Sequence, residues 1–137
     1  MTPSRIWVDT SFLYALFVRA DKNHLAANRV WKEKIAEKCD FLTSNLAVCE
    51  LGTLLAYRFG PPVALRQVSL LYDSALLQMI YADEKCSLGA LAWWRKYPEQ
   101  KFSYTDCVSF QFMRILGLSE ALSYDRDFTV AGFQRSH

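Results

Sequence analysis

Short runs of β character alternate along this chain with segments long enough to hold a helix. That alternation limits the fold more than any other feature. Arg5-Ile6-Trp7-Val8, Phe41-Leu42-Thr43, Leu77 to Tyr81 and Glu120 to Tyr124 read as strands. Phe12 to Val18 reads as an apolar helix, and Asp21 to Lys38 as a second one with Leu25, Val30 and Ile35 on its apolar face. Ser44 or Asn45 caps a third, Leu46 to Arg58, and the helical pattern resumes after Gly60-Pro61-Pro62 as far as Leu71. Asp83 to Lys96 and Val108 to Leu116 complete the set. The latter is preceded by Ser103-Tyr104-Thr105-Asp106, which has capping-box spacing, and is stopped by Gly117. Connections this long predict an α/β fold with a central, mostly parallel sheet. Right-handed crossovers then gather the carboxyl ends of the strands along one edge, where ligands of such sheets bind.

Composition supports one domain over residues 1–137. The chain is 52% hydrophobic with five Gly and four Pro, which excludes disordered and linker-rich classes. It shows no repeat and no linker. The longest uncharged stretches, such as Thr10 to Val18, are about half the ~20 residues a membrane span needs. The N-terminus has no signal-peptide pattern, so a cytoplasmic location is expected. Cys39, Cys49, Cys86 and Cys107 form no C-x-x-C pair and are expected to be reduced. A formal net charge of +2 is compatible with a polyanionic partner without marking a dedicated basic binder.

The carboxylates are more informative. Asp9 ends the first strand, Asp106 lies in the first turn of a helix, and Asp125 follows the last strand with Asp127 two residues on. Each has an ordinary explanation as a cap, a dipole partner or a turn residue. Together they converge on one sheet edge without matching bases. Such carboxylates repel one another, and a divalent cation with hard oxygen ligands, Mg²⁺ or Mn²⁺, resolves the conflict. The chemistry this favours is metal-assisted phosphodiester hydrolysis, which needs no histidine. His24 and His137 sit at a polar helix start and at the chain terminus. Glu50 stands apart, inside a helix with Leu54 rather than a base at i+4.

Val8-Asp9-Thr10-Ser11-Phe12-Leu13, the helical Glu50, Ser103 to Phe110 and Ala121 to Phe133 resemble the acidic motifs of PIN-domain nucleases, most closely the VapC-type toxins of bacterial toxin–antitoxin pairs. The resemblance covers nearly the whole chain, with the motifs in the family's order. It implies an α/β/α sandwich and a Mg²⁺- or Mn²⁺-dependent endoribonuclease. It also implies Asp9, Glu50, Asp106 and Asp125 as the acidic quartet. Asp127 would be an auxiliary metal-site acid, and Ser11 and Thr105 supporting hydroxyls beside the first and third acids. A homodimer silenced by a small cognate antitoxin follows from the same resemblance.

With RNA as substrate, of the transfer or ribosomal class, Lys96, Lys101 and Arg126 are candidate phosphate contacts. Trp93, Trp94, Tyr97 and Tyr104 are candidate base-stacking residues. The main alternative is a PIN-like module that binds RNA or protein without cleaving, which would normally have lost an acid. A phosphoacceptor signalling domain would want an adjacent acidic pair near the first strand and a late lysine; Asp9-Thr10 and the absence of Lys after Lys101 supply neither.

Overall fold

The structure is a computed structural model and describes residues 3–137. Among these residues the strands are β1 (Arg5–Val8), β2 (Asp40–Ser44), β3 (Leu77–Ile80), β4 (Glu120–Leu122) and β5 (Gln134–Ser136). They form one sheet in the order β3-β2-β1-β4-β5, and every neighbouring pair is parallel. The helices are α1 (Thr10–Phe17), α2 (His24–Ala36), α3 (Asn45–Phe59), α4 (Pro61–Asp73), α5 (Glu84–Gly89), α6 (Leu91–Lys96), α7 (Tyr104–Leu116) and α8 (Asp127–Val130).

Strand alternation divides the core into two layers. Ile6 and Val8 face one side of β1, where Phe12, Val48, Leu51 and Leu55 of α1 and α3 cover them. Trp7, between them, faces the other side and joins Val108, Phe110 and Met113 of α7. Phe41 and Leu42 divide between the two layers in the same way. Phe110 anchors the second layer, with ring centroids 4.9 to 5.8 Å from Phe128, Phe102, Trp93 and Phe133. The result is the α/β/α sandwich expected from the sequence, with a wholly parallel sheet.

Chain order moves outward from β1 in both directions, so the sheet switches direction between β1 and β4. A crevice opens beyond their carboxyl ends, where ligands of parallel sheets bind. The backbone N–H of Asp9 donates to the Leu122 carbonyl at 3.0 Å, carrying the β1–β4 pairing one step past the strands.

Several elements differ from the sequence reading. The second helix runs only over His24–Ala36, with Leu25 and Ile35 exposed rather than on a buried face, and the segment after β4 holds the short helix α8. The span from Asp83 to Lys96 is two helices rather than one, separated at Ala90. At the junction a side chain on Gly89 would place its Cβ 2.8 Å from the Gln111 amide nitrogen. The missing side chain lets Gln111 reach across and accept from the Trp93 indole at 3.1 Å. The fourth strand stops at Leu122 instead of Tyr124, and beyond it the Tyr124 and Asp125 N–H groups donate to the Ser11 and Ser123 hydroxyls rather than to a neighbouring strand. β5 was absent from the reading: Gln134-Arg135-Ser136 is short and polar and is a strand only because β4 lies beside it. All four cysteines are free. No helix is long and apolar enough to cross a membrane among the described residues.

Candidate metal centre

Asp9 leaves β1 in extended conformation and serves as the N-cap of α1. Its Oδ2 accepts from the Ser11 N–H at 3.3 Å, the Ser11 hydroxyl at 2.7 Å and the Ser123 hydroxyl at 3.0 Å. Both serines are themselves engaged: the Ser11 Oγ accepts from the Tyr124 N–H and the Ser123 Oγ from the Asp125 N–H, each at 2.9 Å. Two hydroxyls thus tie the acid after β1 to the loop that carries the acid after β4. That loop is fixed further on, where the Asp125 Oδ1 accepts from the Asp127 N–H at 2.9 Å.

Asp106 arrives from the opposite layer through a complete capping box. The Ser103 Oγ accepts from its N–H at 3.0 Å, and its Oδ2 accepts from the Ser103 N–H at 3.2 Å. Ser103 therefore engages Asp106, while Thr105, the hydroxyl that the family resemblance suggested, makes no such bond.

Asp9, Glu50, Asp106 and Asp125 line one cavity of about 380 Å³, together with Ser11, Tyr14, Asp21 and Arg58. Asp106, Asp125 and Asp127 each offer a carboxylate oxygen, and these oxygens lie within 4.8 Å of one another. Asp9 is outside that triplet but shares the cavity wall. Glu50 reaches the cavity from the exposed face of α3.

The electrostatics express the crowding. Burial lifts the Asp9 carboxyl to about 6, with the Asp125 charge adding to the rise and the Ser11 and Ser123 hydrogen bonds opposing it. Asp106 is pushed up to about 7, first by burial and then by the charges of Asp9 and Asp125. Asp127 is raised by burial and by Asp125. Hard anionic oxygens, close together and resisting ionisation, are the donor set that Mg²⁺ or Mn²⁺ prefers. The residues fit such an ion.

The basic residues named from the sequence are elsewhere. Lys96 ends α6 with its ammonium 5.5 Å from the Tyr97 ring centroid. Lys101 and Arg126 are exposed, and none of the three lines the cavity. Trp93 is a core residue, and Tyr97 stacks on it. Trp94 and Tyr104 keep exposed faces. The cation that does line the cavity is Arg58, which sequence reasoning missed. The signal was present: Glu50, Leu54 and Arg58 recur every four residues and share one face of α3. Ser123 was also missed, since nothing in a strand-ending Ala-Leu-Ser shows that its hydroxyl meets an acid 114 positions away.

The all-parallel sandwich thus gathers its carboxylates at the switch point between β1 and β4. The PIN domain family matches residues 6–134, and the chain belongs to that family. A curated relative, the 23S rRNA-specific endonuclease VapC20 of Mycobacterium tuberculosis (strain ATCC 25618 / H37Rv), is 33% identical over 128 residues, spanning 93% of this chain and 95% of the relative. The crystal structure of Mycobacterium tuberculosis VapC20, described as a sarcin–ricin loop cleaving toxin, superposes with a TM-score of 0.86 at 32% identity, over 93% of this chain and 95% of that one. VapBC-1 from nontypeable Haemophilus influenzae shares the fold at a TM-score of 0.70 and 12% identity, over 96% of each chain.

Proposed function

We infer that this protein is a divalent-metal-dependent endoribonuclease that cuts a loop of ribosomal RNA and acts as a cytoplasmic toxin. The observation that carries the reading is the meeting of Asp9, Glu50, Asp106 and Asp125 in one cavity, with Asp127 beside the last two. The VapC20 relative, an endonuclease specific for 23S rRNA, supports the substrate class.

Asp106, Asp125 and Asp127 would hold the ion, with Asp9 beside them. A bound Mg²⁺ or Mn²⁺ supplies charge neutralisation at the phosphate and a water of lowered pKa. The chain's own residues do the positioning. Ser11 and Ser123 hold one Asp9 oxygen, Oδ2, and leave the other, Oδ1, without a hydrogen bond from the protein. The Ser103 capping box holds Asp106 at the mouth of α7. Glu50, on an exposed helix face, is the acid best placed to take a proton from water at the cavity rim.

A toxin requires a silencing partner, and a small antitoxin protein is part of the proposal. A second groove, lined by Phe17, Val18, Leu55, Phe59 and Val63 with Arg19 and Arg66 at its edge, suits an apolar segment bearing acidic residues. A homodimer is proposed as well, with exposed Tyr57, Leu65 and Tyr72 supplying apolar surface on α3 and α4; light scattering on the purified protein tests it.

The decisive experiment incubates the protein with purified ribosomes in Mn²⁺ or in chelator and maps new RNA ends by primer extension. Cleavage at one ribosomal RNA loop in Mn²⁺ only is expected. Intact ribosomal RNA under both conditions would overturn the substrate assignment.

A further inference from the structure

The acidic cavity contains one feature that the metal site does not use. Its lining includes five acids (Asp9, Asp21, Glu50, Asp106 and Asp125) and a single cationic side chain, Arg58. Amid so many carboxylates an arginine would ordinarily pair with one. Arg58 does not: no carboxylate lies within 4.0 Å of it among the described residues. Its Nη1 instead donates to the Tyr14 hydroxyl at 2.7 Å, a neutral partner. The guanidinium carbon sits 6.0 Å from the Tyr14 ring centroid and 5.8 Å from that of Phe59. Two aromatic rings and a hydroxyl therefore orient the fork without neutralising it; Arg58 is exposed, and the bond to Tyr14 engages one of its five N–H donors.

This arrangement suits an anionic oxygen arriving from outside. Arg58 lies two turns beyond Glu50 on α3, about 12 Å along the helix axis. It therefore reaches a different phosphate from the one at the acids. We propose that Arg58 is an RNA-binding residue that grips a phosphate neighbouring the scissile one, with Tyr14 holding its guanidinium in place. The proposal rests on the nuclease reading for its substrate class. Arg58 is the one cationic side chain of an otherwise acidic lining, so it adds a contact for an incoming polyanion away from the acids and helps set which backbone segment approaches them.

The test measures binding without cleavage. Wild-type Arg58 and R58A are compared on an Asp9→Asn background, using a fluorescein-labelled RNA stem–loop with the sarcin–ricin loop sequence, by anisotropy over a range of salt. The expected result is a loss of affinity of about 10-fold for R58A. The slope of log K against log salt should also fall by about 0.7, as for one lost single-strand phosphate contact. R58K should recover much of the slope but not all of the affinity, since it keeps the charge and loses the fork. Tyr14→Phe should weaken binding with the slope retained. In proteins with Asp9 intact, R58A should raise KM more than it lowers kcat. Equal affinity and slope for R58A and its parent would overturn the proposal, as would an affinity loss with unchanged slope, which marks a merely structural role. Because binding is read on the Asp9→Asn background, failure of the wild-type protein to cleave RNA would overturn the nuclease reading separately.

Discussion

Asp106→Asn in the metal-free protein should be a stabilising substitution at alkaline pH, although it removes a residue of the proposed site. The Asp106 carboxyl is lifted from 3.8 to about 7, first by burial and then by Asp9 and Asp125. A group whose folded pKa lies above its unfolded value contributes its stability below the unfolded value and loses it as pH rises through the folded one. At 1.36 kcal/mol per pH unit, ionising Asp106 in the folded chain costs about 4 kcal/mol above pH 7. Asparagine relieves both the burial and the repulsion, but it gives up roughly 0.3–1 kcal/mol of carboxylate–dipole attraction in the first turn of α7, and burying its amide N–H group costs about 1 kcal/mol more. The Asn carbonyl can still accept from the Ser103 N–H, so the cap survives. A net gain of about 2 kcal/mol near pH 8 follows, or roughly 8 °C in Tm for a chain of this size, shrinking to nothing near pH 4. Thermal unfolding in chelator across that pH range measures it. Loss of stability at alkaline pH, or a shift that does not vary with pH, would refute the reasoning.

Mn²⁺ should raise the Tm of the wild-type protein and raise that of Asp106→Asn much less, by the same thermal assay. Because Asp9 and Asp106 are lifted to about 6 and about 7, Mn²⁺ affinity measured by calorimetry should fall as pH drops from 8 through 6, with protons released on binding. Ser123→Ala deletes a donor to Asp9 and an acceptor for the Asp125 N–H; it should destabilise the fold by about 1–3 kcal/mol in denaturant titrations and weaken Mn²⁺ binding. Phe110→Ala, which opens a hole among Trp93, Phe102, Phe128 and Phe133, should cost about 3–5 kcal/mol by the same titration.

What the sequence made legible follows from where the information is stored. Asp9 and Asp106 were readable because each sits at a local boundary, a strand end and a capping box, that the neighbouring residues specify. The sheet was readable because β1 to β4 carry β-type apolar runs between helix-length segments. β5 carries none; it exists through backbone pairing with β4 and could not be seen in isolation. Ser123 and Arg58 belong to the site only through tertiary structure. One meets Asp9 across the β1–β4 junction, and the other meets Tyr14 across the α1–α3 contact. Lys96 and Lys101 show the converse: closeness in sequence to Asp106 does not by itself bring a side chain into the cavity that Asp106 lines.

The central claim is that the acids at the β1–β4 switch point do metal-dependent chemistry on RNA. Its most direct test compares ribosomal RNA cleavage by wild-type protein and Asp9→Asn, purified identically, as Mn²⁺ is titrated into chelated buffer. The account predicts site-specific cleavage that rises with Mn²⁺ in the wild type and is abolished in Asp9→Asn while the fold is retained. Equal cleavage by the two proteins, or cleavage by the wild type that is indifferent to Mn²⁺, would contradict it.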